Sequence, residues 1–340
     1  MKEIKGINMM EQMTTESVVK DSRYVKENKT IKKYSDFEKR KFKFVYVLIA
    51  FPVLQFLVFW GYVNASSIGM SFINMNGDFT LGYFKEVKEA FFGVDRWGYS
   101  LMESLGNSLK VWVLRNLILF PWGIVVVYVL CCNIRGHYFY RLCEILPSLI
   151  GSVIWTTIMK AQVEVNGPVM TLMQSMGIKL SDAAVHNGLL GAAETAFPTL
   201  LGITVVGGLV TNSPVLSGAY TRISNELFES AELDGAGFWR KFITIGVPGI
   251  WPTVTTLMIF NLTSIFTADC GVFLYTNGSG KPGCSTVGFQ LYILTLRIAE
   301  GGAARYGYPA ALGLVLTLMT LPICLIGRRL LEKLCDTIEN

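Results

Sequence analysis

Histidine is almost missing from this chain: His137 and His186 are its two examples in 340 residues. A histidine-held metal cluster or a histidine-activated nucleophile needs more converging imidazoles than that, so zinc-dependent and hydrolytic chemistries lose their usual machinery. Seven cysteines are present without a CxxC pair, which removes the commonest metal and redox spacing. Cys131, Cys132, Cys143 and Cys324 fall in apolar runs, where a cysteine acts as a small hydrophobe, whereas Cys270 and Cys284 lie near one another's expected level and can pair. A phosphate loop is missing too. The stretch Gly278-Ser279-Gly280-Lys281-Pro282 has Tyr275 where the first glycine belongs and Pro282 where a Ser or Thr must follow the lysine. Charge is scarce at 16% of residues, against about a quarter in an ordinary soluble domain. Within the apolar runs Arg115 and Asp269 are the nearest ionisable groups. A solvated or paired Asp269 at an outer end and a snorkelling or paired Arg115 account for both, which disfavours an ion relay.

Apolar residues fill the space these absences leave: 51% of the chain is hydrophobic and its mean hydropathy is +0.44. Six runs, 44–64, 111–132, 142–159, 197–219, 249–269 and 308–327, are long enough or nearly so to cross about 30 Å of hydrocarbon as helices. Residues 1–43 hold many charges and no apolar core, so they read as a polar tail rather than a cleavable signal. Lys39, Arg40, Lys41 and Lys43 close that tail, and basic residues recur at Arg135, Arg141, Arg222, Arg240, Lys241, Arg328, Arg329 and Lys333. The positive-inside rule places all of these in the cytoplasm, which gives cytoplasmic N- and C-termini. The expected organisation is a tail over 1–43, a first transmembrane helix over 44–66 and an extracytoplasmic segment over 67–104. A transmembrane domain over 105–330, interrupted by a cytoplasmic loop at 222–248, and a cytoplasmic tail over 331–340 complete it.

That loop is the least ordinary part of the chain. Between Arg222 and Phe238 the pattern predicts a short amphipathic helix, with Ser224 or Asn225 as N-cap and Glu226 and Glu229 in turns that favour negative charge. Leu227, Phe228 and Ala231 share one arc, while Glu226, Glu229 and Glu232 share the opposite one. Gly235 and Gly237 end the helix, a second short helix is expected over 239–244, and Pro248 begins the next span. An interfacial connector would present Lys and Arg to the lipid surface, so three acids on one arc favour docking on a soluble partner instead.

The run Glu229-Ser230-Ala231, then Gly235, then Ile245-Gly246-Val247-Pro248 resembles the EAA signature of ABC importer permeases in both of its spacings. Glu229, Asp234-Gly235-Ala236 and Phe242 resemble the carbohydrate-importer branch more specifically. Similarity to that branch extends across 105–330, through Asn107-Ser108, Gly136, Arg141, Leu146-Pro147, Trp155, Gly167-Pro168 and Gly307-Tyr308. It departs at Val169-Met170 and at Ser279-Gly280-Lys281, in the outer segments.

The resemblance implies an all-α integral membrane protein with the six-transmembrane-helix fold of type I importer permeases and a cytoplasmic coupling helix, in a bacterial cytoplasmic membrane. Its expected partners are a second permease subunit, a dimeric nucleotide-binding ATPase, an extracytoplasmic solute-binding protein, a carbohydrate and membrane lipid, with no nucleic acid. The chain itself is expected to be a transport component without enzymatic activity, cofactor or metal; ATP and Mg belong to the partner ATPase. Carried over, Phe228, Glu229, Ala231, Asp234, Gly235, Ala236 and Arg240 would form the ATPase-coupling surface. For the substrate path, hydrogen-bonding groups beside aromatic walls are sought on protein-facing sides of spans, and Thr204, Asn212, Phe260, Asn261, Ser264 and Thr267 are the candidates. Each polar candidate can equally bond a neighbouring helix. Two alternatives stay open: a permease for another polar solute such as a glycerol phosphodiester, and an ion-coupled secondary carrier.

Overall fold

A computed structural model of the chain describes residues 36–74, 76–94, 98–132, 136–209, 213–268, 270–278, 283–300 and 306–339. The chain divides into two units, Met1–Ser66 and Ser67–Asn340. Most of the polar tail lies outside the described residues. From Asp36 onward the chain is helical and runs without a break into the first apolar run.

Among the described residues, four helices are long and apolar enough to cross a membrane: α1 (Lys41–Phe72), α3 (Leu101–Cys131), α11 (Phe238–Thr263) and α14 (Gly307–Leu334). They carry the first, second, fifth and sixth apolar runs. Helix α2 (Gly82–Phe92) lies between the first two. The third run is bent: α4 (His137–Leu149) gives way at the extended residues Ile150 and Gly151 to α5 (Ser152–Val163). The segments Phe139–Pro147 and Ser152–Ser175, the latter continuing through α6 (Pro168–Ser175), meet at 93°. The fourth run is divided between α8 (Ala193–Gly208) and α9 (Ser213–Tyr220), with 210–212 outside the described residues. Shorter helices α7 (Asp182–Asn187), α10 (Asn225–Leu233), α12 (Val272–Tyr275) and α13 (Val287–Glu300) complete the described elements.

Two boundaries differ from expectation. Helix α3 starts at Leu101, ten residues before the apolar run, so it begins inside the segment expected to be extracytoplasmic. Its first turns carry Ser104, Asn107 and Ser108, which look like loop residues but are buried and hydrogen-bonded inside the protein. Ser104 Oγ lies 2.7 Å from Ser285 Oγ. Asn107 Nδ2 donates to the carbonyls of Gly283 (2.9 Å) and Ser285 (3.1 Å), and Ser108 Oγ accepts from Val287 N at 3.0 Å. This polar seam holds the extended chain that leads into α13, whose backbone would otherwise be buried without partners. Asn107→Ala should therefore destabilise the protein by about 2 kcal/mol, since one buried and one partly buried carbonyl lose their donor. Thermal unfolding in detergent measures this, and a shift no larger than that of a surface alanine would show the seam to be dispensable.

Helix α11 differs in the opposite sense from the expected pair of elements. The predicted helix over 239–244 and the span beginning at Pro248 are one helix, joined by a π-helical turn at Phe242–Gly246. Proline lacks an N–H and collides with the carbonyl four residues back, and a wider turn just before it relieves both problems. The same arrangement recurs in α3, where a π-helical turn at Leu114–Leu119 precedes Pro121.

Three clusters form the core of the larger unit. One packs α2 and the start of α3 against α13 and α14, through Val87, Leu101, Val287, Leu294 and Leu312. A second gathers α7, α8, α12 and the start of α13 around Ala184, Ala196, Val272, Cys284 and Phe289. Cys284 is buried there, and it forms no disulfide with Cys270. The third joins α3, α9 and α11 through Val127, Tyr128, Leu216, Tyr220, Phe242 and Ile250.

Candidate functional site

Two regions of the larger unit carry the residues singled out by sequence. The first is the loop at 222–248. Ser224 caps α10 by accepting from Glu226 N at 3.3 Å. The helix ends as a Schellman motif: Ala236 N donates to Ala231 O at 2.9 Å and Gly235 N to Glu232 O at 3.0 Å. Gly235 takes φ +77°, a conformation that needs the missing Cβ. Gly237 plays a different part from the one expected: it is extended and precedes the first turn of α11.

Which arc of α10 faces inward is settled by packing. Phe228 is half-buried, with its ring 6.4 Å from that of Tyr128, and Ala231 and Ala236 are partly covered as well. Glu226, Glu229, Asp234, Gly235 and Arg240 are exposed, and so is Leu233, at 90% the most open large apolar side chain of the molecule's described residues. The exposed part of α10 is therefore acidic with Leu227 and Leu233 as apolar points, while Phe228 and Ala231 of the apolar arc turn toward the chain's own core. Glu232 turns aside to pair with Lys241, which ties α10 to α11.

Tyr128 is the other end of this attachment. It is 1% exposed, near the C-terminal end of α3, and its ring meets Phe242 (4.8 Å), Phe238 (5.1 Å) and Tyr220 (5.8 Å) as well as Phe228. Gly246 permits the approach, since a Cβ there would stand 3.2 Å from the tyrosine ring. Sequence periodicity gave no hint of this residue, because its partners come from three other elements.

The second region is a cleft of about 410 Å³ between α3, α5, α8 and the end of α11, with α12 closing one side. Its size suits a small polar ligand. Thr204, Asn261 and Ser264 line it, as do Trp112, Arg115, Asn116, Trp155, Thr156 and Tyr275. Trp112 Nε1 donates to the main-chain oxygen of Asn261 at 2.8 Å, and Asn116 Nδ2 donates to Trp112 O at 2.9 Å. The hydroxyls of Thr156, Thr204 and Ser264 each donate to a carbonyl of their own helix, at 2.7, 2.8 and 2.8 Å. Their oxygens keep lone pairs that accept from a ligand's hydroxyls. Trp112 and Trp155 add aromatic surface to the lining beside these acceptors, and Asn261 adds a side-chain amide. Phe260 and Thr267 are exposed and do not line the cleft, and Asn212 lies outside the described residues.

No family model matches the chain. It is 28% identical over 194 residues, 56% of its length and 52% of the relative's, to the diacetylchitobiose uptake system permease protein NgcF of Streptomyces coelicolor. It is 22% identical to the multiple sugar-binding transport system permease protein MsmF of Streptococcus mutans, covering 62% of this chain and 69% of that one. The aligned part thus spans about half of the first relative. Among solved structures, a chain of a bacterial ABC transporter that imports the acidic polysaccharide alginate superposes with a TM-score of 0.68. The match covers 87% of this chain and 97% of the other at 18% identity. The fold is that of an ABC importer permease, and the chain is a multi-pass membrane protein.

Proposed function

We propose that this chain is one permease subunit of an ATP-binding-cassette importer for a carbohydrate, in the bacterial inner membrane with both termini in the cytoplasm. The observation that carries the proposal is the build of α10, a capped helix that turns an acidic face outward and is fastened to a membrane-crossing helix through α11. A nucleotide-binding subunit docks on Glu226, Glu229, Leu233 and Asp234, with the Gly235 bend fixing the angle of the helix. Closure of two such subunits around ATP moves α10, and the unbroken α11 conveys the movement to the walls of the cleft as a rigid-body change. ATP and Mg reside on that partner. A second permease completes the translocation path, and an extracytoplasmic binding protein delivers the sugar. The relatives' sugar-transport descriptions and the alginate importer's fold support the same reading.

Within the cleft, Asn261 offers a clean test. Its main-chain oxygen holds Trp112, which leaves its side-chain amide for the ligand. Asn261→Ala should raise the transport KM about tenfold, the worth of one or two neutral hydrogen bonds, without lowering kcat. Recovery of the partner ATPase with the tagged variant checks assembly. An unchanged KM removes Asn261 from the path. The wider proposal is tested by purifying the tagged chain: an ATPase should come with it, and uptake should stop when that ATPase is inactivated. Uptake that survives its loss would point to an ion-coupled carrier.

A further inference from the structure

Arg115 is the single charged side chain lining the cleft among the described residues. It lies 14 residues from the first residue of the helix and 16 from the last, about 21 and 24 Å along the axis. A helix of 31 residues is about 46 Å long, more than the roughly 30 Å of hydrocarbon, and Arg115 falls four residues inside its apolar run. No described side chain forms an ion pair with it. A guanidinium at this depth is costly to keep unless something bound beside it supplies negative charge, and a membrane-buried charge of this kind is by default functional. The guanidinium offers five donors and no acceptor, in a planar fork that matches two oxygens of a carboxylate or phosphate. Trp112 one turn before it and Asn116 beside it belong to the same wall.

We infer that the cargo carries an anionic group, a carboxylate or a phosphate ester, which Arg115 receives in the cleft while Trp112, Trp155, Asn261 and the hydroxyls hold the sugar. The inference rests on the reading of this cleft as the carbohydrate path and narrows its substrate class. Two carboxylate sources compete with it: Asp269, between the lining residues Ala268 and Cys270 and outside the described residues, and an acid of the second permease.

The test uses the assembled importer in nanodiscs and equilibrium binding of two matched pairs, trigalacturonate against its methyl ester and maltose 1-phosphate against maltose. The anionic member of at least one pair should bind at least about tenfold more tightly, as expected for a charge-assisted hydrogen bond. Arg115→Gln should erase that preference by weakening the anionic member at least about tenfold more than the neutral one, and Arg115→Lys should keep part of it. Which pair responds separates a carboxylate from a phosphate. Absence of an anion preference in the unmodified importer overturns the inference, and so does an Arg115→Gln variant that weakens both members equally. An anion preference that emerges only in Asp269→Asn also overturns it, by assigning Arg115 to that carboxylate. Recovery of the ATPase in the same preparation reports separately on the importer assignment.

Discussion

Replacing Gly235 by valine should abolish transport and release the nucleotide-binding subunit while the chain still inserts in the membrane. The cause is the backbone. At φ +77° a β-branched residue is strongly disfavoured, and nothing lies within 4 Å of the position a Cβ would take, so crowding contributes little. Valine forces the Schellman ending to unwind, which swings Leu233 and Asp234 away from the arc they share with Glu226 and Glu229. The strain is about 1–3 kcal/mol, and loss of the docking surface multiplies its effect on function. A graded series checks the cause: asparagine tolerates this conformation and should retain docking, alanine should lose part, and valine all of it. The amount of ATPase recovered with each tagged variant is the measurement. Equal recovery across the series would show that α10 does not set the contact.

Tyr128→Ala should produce the opposite separation, with docking kept and transport lost. Removing a fully buried aromatic ring costs about 3–5 kcal/mol and leaves a hole among Phe228, Phe238 and Phe242. α10 keeps its outward face, so the ATPase still binds. The joint between α10 and α3 is slack, so nucleotide-driven movement no longer reaches the cleft. Expected readouts are an ATPase rate that stops responding to the binding protein and uptake reduced at least about a hundredfold. Tyr128→Phe keeps the ring contacts and gives up only a long hydrogen bond of 3.5 Å to Phe238 O, so it should behave almost as the unmodified protein. A Tyr128→Ala variant that transports normally would disprove the role. Equal failure of both variants would move the role from the ring to the hydroxyl.

The parts legible in the sequence are the ones whose signals are local. The 229–248 motif is read from spacing along one segment, and the cap at Ser224 and bend at Gly235 follow from residue type. Four of the six apolar runs are single long helices for the same reason. The start of α3 was hidden because Ser104, Asn107 and Ser108 are polar, and their partners at 283–287 are far away in sequence. The continuity of α11 was hidden because Pro248 and Pro252 look like a start rather than an interior. The orientation of α10 needed the core: an amphipathic arc shows that two faces differ, not which of them the chain claims for itself. The cleft needed four helices at once, so Thr204, Asn261 and Ser264 emerged from a list of polar residues, whereas Trp112, Asn116, Thr156 and Tyr275 were passed over. Arg115 reads from the sequence as snorkelling or paired, because its place in the wall of a cleft has no local signal.

The π-helical turn at Leu114–Leu119 has a consequence for how this span is inherited. Buried positions in α3 advance by three or four residues through Leu101, Ser104, Ser108 and Val111, jump by five to Asn116, and resume that step through Leu119, Gly123 and Val127. One additional residue thus keeps the cleft wall and the Tyr128 joint on the same flank. Deleting it would restore a regular helix yet rotate one half against the other by about 100°. The turn behaves as a phase correction: a single-residue gap at Leu117 or Ile118, neither of which lines the cleft, would turn the cleft wall of α3 away from the Tyr128 joint without removing a side chain of either.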